Sequence, residues 1–275
     1  MTVRDAATVI VLREDPLQIY MMKRHSKSGF MANAWVYPGG GLDENDLQAS
    51  LHERCDLSPD EAARRLNMAD GARALGLYLA AIRETFEESG LLLARRGEEV
   101  LALTEEFADY RTGLQRSKLT LGQIAEMEGL NFPVSELNYF AHWITPTFES
   151  RRYNTRFFTI RAPDQTPTHD KLETTEGAWV TPEEALRRGV SEDWFLAPPT
   201  VRTLEQLRDC KDLLGIQSRC TVRPPCILPH LKLDEDTCIL LLPGDPEFPN
   251  DPEYACAEPV DDHVTRMVFK LPNRT

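Results

Sequence analysis

Arg83-Glu84-Thr85-Phe86-Glu87-Glu88-Ser89-Gly90-Leu91 is the stretch whose reading decides the fold. At about 3.6 residues per turn, Glu84 lies three and four residues from Glu87 and Glu88, so the three carboxylates share one helix face. Counting ~100° per residue from Leu75 puts Leu75, Leu79, Ile82 and Phe86 in a narrow apolar stripe on the opposite side. The pattern predicts a helix from about Ala74 to Ser89, with Gly90 as its C-terminal stop. Like charges at this spacing repel by about 0.2–0.5 kcal/mol per exposed pair. A hard divalent cation taking carboxylate oxygens would offset that repulsion; a solvated acidic face is the plainer alternative.

The rest of the composition sets bounds. The chain has 275 residues, 41% hydrophobic and 27% charged, which suits a soluble globular protein of one elaborated domain or two small ones. A formal net charge of -13 argues against a general nucleic-acid or anionic-membrane binder. No run approaches the roughly 20 apolar residues of a membrane span. Arg4 and Asp5 ahead of a short Val-Ile-Val-Leu run do not have the layout of a secretory signal, and Pro272-Asn273-Arg274-Thr275 is not a peroxisomal address. A cytoplasmic location is therefore expected, with reduced thiols. The six cysteines form no Cys-x-x-Cys pair, and Cys220, Cys226 and His230 make only a loose ligand set.

Upstream of the acidic helix, β-branched Ala6–Arg13 and the run Leu17–Lys23 read as strands of a hairpin turning at Asp15-Pro16. Lys23, Arg24, His25 and Lys27 form a basic cluster, either a solvated loop or a contact for phosphates. Trp35-Val36-Tyr37 reads as a short strand running into Pro38-Gly39-Gly40-Gly41, a loop whose glycines permit positive φ and close backbone approach. Residues 47 to about 74 read as a helical insert, with Ser58-Pro59-Asp60-Glu61 as a capping box and Gly71 as a stop.

Downstream, residues 91–131 read as mostly helical, with Leu101, Leu103, Phe107, Tyr110 and Leu114 as a packing face. Strands are expected at Tyr139–Ile144, in the second half of Glu149–Arg161 and at Glu176–Val180. Thr181-Pro182-Glu183-Glu184 is a second capping box, opening a helix that Gly189 closes. From Pro198 onward the chain changes character: a helix over Val201–Leu214, strands at Cys238–Leu242 and Val264–Leu271, and turn-rich Pro segments between.

Taken together, Pro38-Gly39-Gly40 and Arg83-Glu84-x-x-Glu87-Glu88-x-Gly90-Leu91 resemble the two halves of the Nudix box. Asp46 occupies the place of the first half's Glu, and Thr85 sits where an apolar residue is usual. Between Asp46 and Arg83 lie 36 residues where the family has seven, so an insert of 29 splits the box. A split box is similar to that of the peroxisomal-type coenzyme A diphosphatases, as are Arg151-Arg-Tyr-Asn-Thr-Arg-Phe-Phe158 and Glu176-x-x-Trp179-Val-Thr-Pro. The motif that precedes Pro-Gly-Gly in many coenzyme A-cleaving members is poorly matched by Met21–Val36.

The resemblance implies an α/β Nudix fold, an α/β/α sandwich with a mixed sheet. The Nudix domain would span 1–197, with the helical insert at about 47–74, and 198–275 would be a C-terminal extension packed on it. It implies metal-dependent hydrolysis of a diphosphate linkage in a small nucleotide-type substrate, with coenzyme A or an acyl-coenzyme A favoured. Alternatives are NADH, ADP-ribose, a dinucleoside polyphosphate or an RNA cap as substrate, or a ligand-sensing module without catalysis. Glu84, Glu87 and Glu88 with the Gly39 carbonyl would hold Mg²⁺ or Mn²⁺. Glu84 would also help deprotonate water, and Arg83 would tie helix to loop. Arg151, Arg152 and Arg156 are expected to hold phosphates bidentately, with Gly40 beside them. Glu149 and Glu176 are further acids, and Trp35, Tyr37 and Phe148 are either stacking platforms or core. Nucleic acid and membrane are not expected as partners; a homodimer is compatible with this reading.

Overall fold

The computed structural model describes residues 2–28, 31–97, 99–170, 172–234, 237–260 and 264–270. The β-branched run is strand β1 (Arg4–Arg13), and it returns through β2 (Gln18–Arg24) as the expected hairpin, Leu12 opposite Ile19 and Arg13 opposite Gln18. Successive side chains of a strand point to opposite faces. Ala7, Val9 and Val11 accordingly enter one core, and Ile10 and Leu12 the other. A strand buried on both faces reads as a continuous apolar run, which is what its sequence shows.

Next come β3 (Ala34–Val36) and β4 (Gly39–Gly41), then α1 (Ala49–His52), α2 (Pro59–Leu66) and α3 (Gly71–Ser89). The following segment holds β5 (Arg95–Arg96), β6 (Glu99–Val100), α4 (Glu106–Gln115), α5 (Leu121–Glu128) and β7 (Leu130–Asn131). The sheet resumes with β8 (Asn138–Ile144), β9 (Tyr153–Arg161) and β10 (Thr174–Val180), followed by α6 (Pro182–Val190), β11 (Phe195–Leu196), α7 (Pro198–Arg208) and α8 (Leu213–Arg219). The chain closes with β12 (Cys226–Ile227), β13 (His230–Asp234), β14 (Thr237–Leu241) and β15 (Arg266–Lys270).

The main sheet runs β11-β3-β2-β1-β9-β8-β12, with β10 on β2 and β4 on β1. It is mixed: β9 lies parallel to β1, and β8 is antiparallel to β9. One edge of β1 forks, pairing with β2 at Leu12 and Arg13 and with β4 at Ala6, Ala7 and Thr8. Helix α3 covers one face, with Leu66, Phe107, Leu114 and Ile124 from α2, α4 and α5 around it. On the other face Ala185, Leu204, Leu207 and Ile216 from α6–α8, with Leu240 and Met267 of the small β13-β14-β15 sheet, meet Ile10, Phe140, Trp143 and Phe157. The result is the α/β/α sandwich with a mixed sheet.

Several local expectations are corrected. Helix α2 stops at Asn67, which takes the left-handed conformation (φ 51°), and Gly71 opens α3 instead of ending α2. The Asp70 side chain caps the Arg73 N–H, so α3 begins a turn earlier than Ala74. The glycine run is a strand on β1, and none of Gly39, Gly40 and Gly41 takes a positive φ. Residues 91–131 include a small sheet, β6-β5-β7, besides their two helices. Thr181 caps the Glu184 N–H, but the Glu184 carboxylate turns to Arg187 and Arg188, and α6 runs past Gly189 to Val190.

The helix expected at Val201–Leu214 is broken into α7 and α8, since Asp212 caps the Gly215 N–H and restarts the chain. Strand β15 matches the predicted Val264–Leu271, whose last residue lies outside the described residues. Among the described residues no helix is long and apolar enough to cross a membrane.

Candidate active site

Helix α3 carries the acids, and its packing explains why they are held so firmly. Leu75, Leu79, Ile82 and Phe86 are buried against the sheet as the stripe predicted. The opposite side is not a solvated face. Glu88 is only 4% exposed, and Glu84 and Glu87 are largely covered. The C-terminal carbonyls of α3, otherwise without helical partners, are taken by Arg111 and Gln115. Arg111 donates to the Glu87 and Glu88 carbonyls at 2.9 and 2.8 Å, and Gln115 to Glu87 at 2.7 Å. Gly90, at φ 73°, ends the helix as predicted.

The glycine strand β4 lies directly over these acids. The Gly39 N–H donates to Glu88 Oε2 at 2.9 Å. A Cβ on Gly40 would stand 2.4 Å from Glu84 Oε1, and one on Gly39 would stand 2.5 Å from the Ala7 carbonyl oxygen. Close approach, not positive φ, is what requires glycine here.

Arg83 ties the two halves of the box together. Its Nε and Nη2 donate to the two carboxylate oxygens of Asp46 at 3.0 and 2.9 Å, and Nη2 also donates to the Gly41 carbonyl at 2.8 Å. Its Nη1 reaches Glu84 at 2.8 Å and Glu87 at 3.2 Å. Burial works against the guanidinium charge, but Asp46 and the two glutamates raise its pKa overall. Arg83 is a tie-rod between helix and loop.

Burial of Glu84 pushes its carboxyl up to about 7, with Arg83 opposing and Glu87 adding to the rise. Glu88 is raised well above the usual carboxylate range, first by burial and then by the nearby Glu84 charge, while the Gly39 N–H pulls the other way. Two adjacent buried carboxylates that resist ionising together are a natural seat for a hard cation. Among the described residues no three His, Cys, Asp or Glu groups converge into a ready metal cluster. Two carboxylates plus substrate oxygens are enough for Mg²⁺, which keeps several of its waters.

Arg24 and Glu173 act electrostatically on Glu88, the first lowering its pKa and the second raising it, although Glu173 itself is exposed. Arg24 belongs to the basic cluster picked out in the sequence. Glu173 was not anticipated; it sits in a polar loop, and nothing in periodicity marks it. The Asp170 carboxylate accepts the N–H groups of Leu172, Glu173 and Thr174 and so fixes that loop. Beside Glu173, His25, Lys27, Ser28 and Leu172 line a hollow of about 310 Å³. A larger groove of about 580 Å³, lined by Arg13, Tyr20 and Trp179, contains none of the acids.

The other expected residues scatter. Glu176 is 56% exposed and pairs with Lys23, and Glu149 is half-buried. Trp35 stacks on Trp194 at 3.8 Å, and the Tyr37 hydroxyl meets Thr203, so both are core; Phe148 is exposed. Arg151 and Arg152 lie in the connection between β8 and β9, where Arg152 Nε donates to the Thr145 carbonyl. Arg156 is 5% exposed beneath α3, with Asp5, Tyr78, Tyr139 and His142 around it. His230 bonds Tyr254 and takes no part in a cysteine site.

Comparison with known proteins bears on the same geometry. The family model for the NUDT19 Nudix domain matches residues 4–207. A Gallus gallus protein described as acyl-coenzyme A diphosphatase NUDT19 is 28% identical over 297 residues, covering 92% of this chain and 79% of its own. The Homo sapiens protein of the same description is 24% identical, covering 86% of this chain and 74% of its own. A Nudix hydrolase structure from Alicyclobacillus acidocaldarius superposes with a TM-score of 0.66 at 23% identity, covering 82% of this chain and 98% of that one, a likeness of fold. With the glycine strand, the acid helix and the Arg83 tie in their places, the chain belongs to the Nudix hydrolases, in the family of the NUDT19 Nudix domain.

Proposed function

We propose that this protein hydrolyses the diphosphate linkage of coenzyme A or an acyl-coenzyme A. The observation that carries the reading is the buried pair Glu84 and Glu88 under Gly39 and Gly40. The substrate class is supported by the relatives described as acyl-coenzyme A diphosphatases. Residues 1–197 form the catalytic unit in this reading, and 198–275 an extension that backs the sheet.

Glu84, Glu87 and Glu88, with the Gly39 carbonyl, are the groups that would hold Mg²⁺ or Mn²⁺. Such an ion, when bound, neutralises phosphate charge and polarises the attacking water. The chain's own residues do the rest. Glu84 is the group that also accepts a proton from water in this reading. The Gly39 N–H fixes Glu88 in one orientation. Arg83 stops Glu84 and Glu87 from swinging away. Arg24, with Arg151 and Arg152 on the β8–β9 connection, supplies positive charge for the phosphates, which guanidinium groups bind bidentately. Glu173 stands ready as a further proton acceptor or oxygen ligand.

The test is a mass-spectrometric panel of coenzyme A, acetyl-coenzyme A, NADH, ADP-ribose and diadenosine polyphosphates with Mg²⁺ or Mn²⁺, using Glu88→Gln as control. Release of 3′,5′-ADP and a 4′-phosphopantetheine, absent in the variant, is the expected result. Cleavage of NADH or ADP-ribose alone would keep the hydrolase and discard the substrate. Turnover of nothing on the panel would favour a sensing role.

A further inference from the structure

At the edge of the main sheet, two of the six cysteines meet. Cys226 lies on β12, beyond β8, and is buried, whereas Cys256 is exposed to solvent. They stand 30 positions apart in the chain, yet their side chains are in hydrogen-bond contact, and both are free thiols. The backbone keeps them there. The Glu258 N–H donates to the Cys226 carbonyl at 2.8 Å, and the Cys226 N–H donates to Glu258 Oε2 at 3.0 Å. Arg223 clamps the same carboxylate with both terminal nitrogens, at 2.9 and 2.8 Å.

The surroundings leave this pair to itself. Cys226 Sγ lies 4.0 Å from His142 Nε2, but that nitrogen is engaged with Asn154 at 2.6 Å. A metal site is not formed, because among the described residues no three His, Cys, Asp or Glu groups converge. Other cysteines have other partners: the Cys55 and Cys210 thiols donate to the Leu51 and Gln206 carbonyls, and Cys220 meets the Thr159 hydroxyl.

We propose that Cys226 and Cys256 are a site of oxidative modification, a dithiol that hydrogen peroxide converts into a disulfide fastening the C-terminal segment to the edge of the main sheet. Burial, with Cys256 and Glu258 adding to it, pushes the Cys226 thiol up to about 12, so that thiol is inert toward peroxide by itself. The first attack therefore falls on exposed Cys256. Its sulfur gives two electrons to the peroxide, becoming a sulfenic acid and releasing one water. The Cys226 sulfur, already in contact, then bonds to the Cys256 sulfur and expels hydroxide, which leaves as a second water with the Cys226 proton. Reduction of the product is slow for the same reason: attack on the exposed sulfur would have to expel Cys226, a poor leaving group, and the Cys226 sulfur itself is buried.

Treating the folded full chain with a few equivalents of hydrogen peroxide, then alkylating it and mapping its peptides by mass spectrometry, tests this without any measurement of turnover. A peptide pair joined through Cys226 and Cys256, lighter by two hydrogens and separated by dithiothreitol, is expected. In Cys226→Ser, dimedone should trap the sulfenic acid at Cys256. The oxidised chain should melt about 5–10 °C above the reduced one, the order expected for closing a loop of this length. Cys256→Ser, a change at an exposed position, should show no such gain. Sulfinic acid at Cys256 with Cys226 still free to alkylate would overturn the proposal. So would linkage of either residue to a different cysteine, or full alkylation of both thiols after the treatment.

Discussion

Arg83 and Asp46, 37 positions apart, are joined by two hydrogen bonds of 3.0 and 2.9 Å, and both side chains are largely buried. The pair closes the box across its insert. Asp46 is itself fixed from the other side, since its carboxylate accepts the Asp43 N–H at 2.9 Å. The helix acids are therefore positioned by a residue from the far side of the insert.

Removing one partner of this pair should cost more than removing both. Arg83→Met leaves Asp46 buried and unpaired, a change that typically costs about 3–5 kcal/mol. The double variant with Asp46→Leu should recover part of that loss. Urea unfolding of the four proteins measures the coupling, and strict additivity would show that the ion pair does not hold the loop.

Gly40→Ala and Gly41→Ala should behave differently although they are neighbours. A Cβ at Gly40 collides with the Glu84 carboxylate, whereas one at Gly41 meets nothing within 4 Å. Gly40→Ala should lower kcat by at least tenfold, and Gly41→Ala should be close to wild type. Equal losses in the two variants would point to strand β4 as a whole and not to contact with Glu84.

Stability of the metal-free protein should fall as pH rises. Glu84 holds its proton more tightly folded, with a pKa near 7, than its ordinary value of 4.5. The contribution is therefore fully present below about 4.5 and is lost as pH climbs through about 7, and Glu88 acts in the same direction. Tm measured with chelator should drop between pH 5 and pH 8, and Glu84→Gln should flatten the profile. Millimolar Mg²⁺ or Mn²⁺ should restore Tm at pH 8 and do little at pH 5. A profile rising with pH would contradict the burial of these carboxylates.

Glu173 and Glu176 offer a paired comparison. The charge of Glu173 raises the pKa of Glu88, while Glu176 is engaged with Lys23 at the surface. Glu173→Gln should reduce kcat by about 10²-fold if it moves a proton. Glu176→Gln should stay within twofold. Steady-state kinetics on coenzyme A decides between them, and the reverse ranking would remove Glu173 from the site.

Local chemistry made much of this legible without coordinates. The period of Leu75, Leu79, Ile82 and Phe86 located the acid helix, Gly90 its end, and Ser58 with Glu61 the start of α2, because each signal depends on neighbours a few residues away. Long-range packing decided the rest. The glycine run became a strand because β1 offered a free edge beside it, and Trp35 became core because Trp194 lies across from it. Arg156 was buried beneath α3 through strand order alone, which no spacing along the chain encodes. The sequence by itself determined which groups carry charge and which helix bears them. Only the tertiary structure decided how far water was excluded from them, and burial is what gives Glu84 and Glu88 their chemistry.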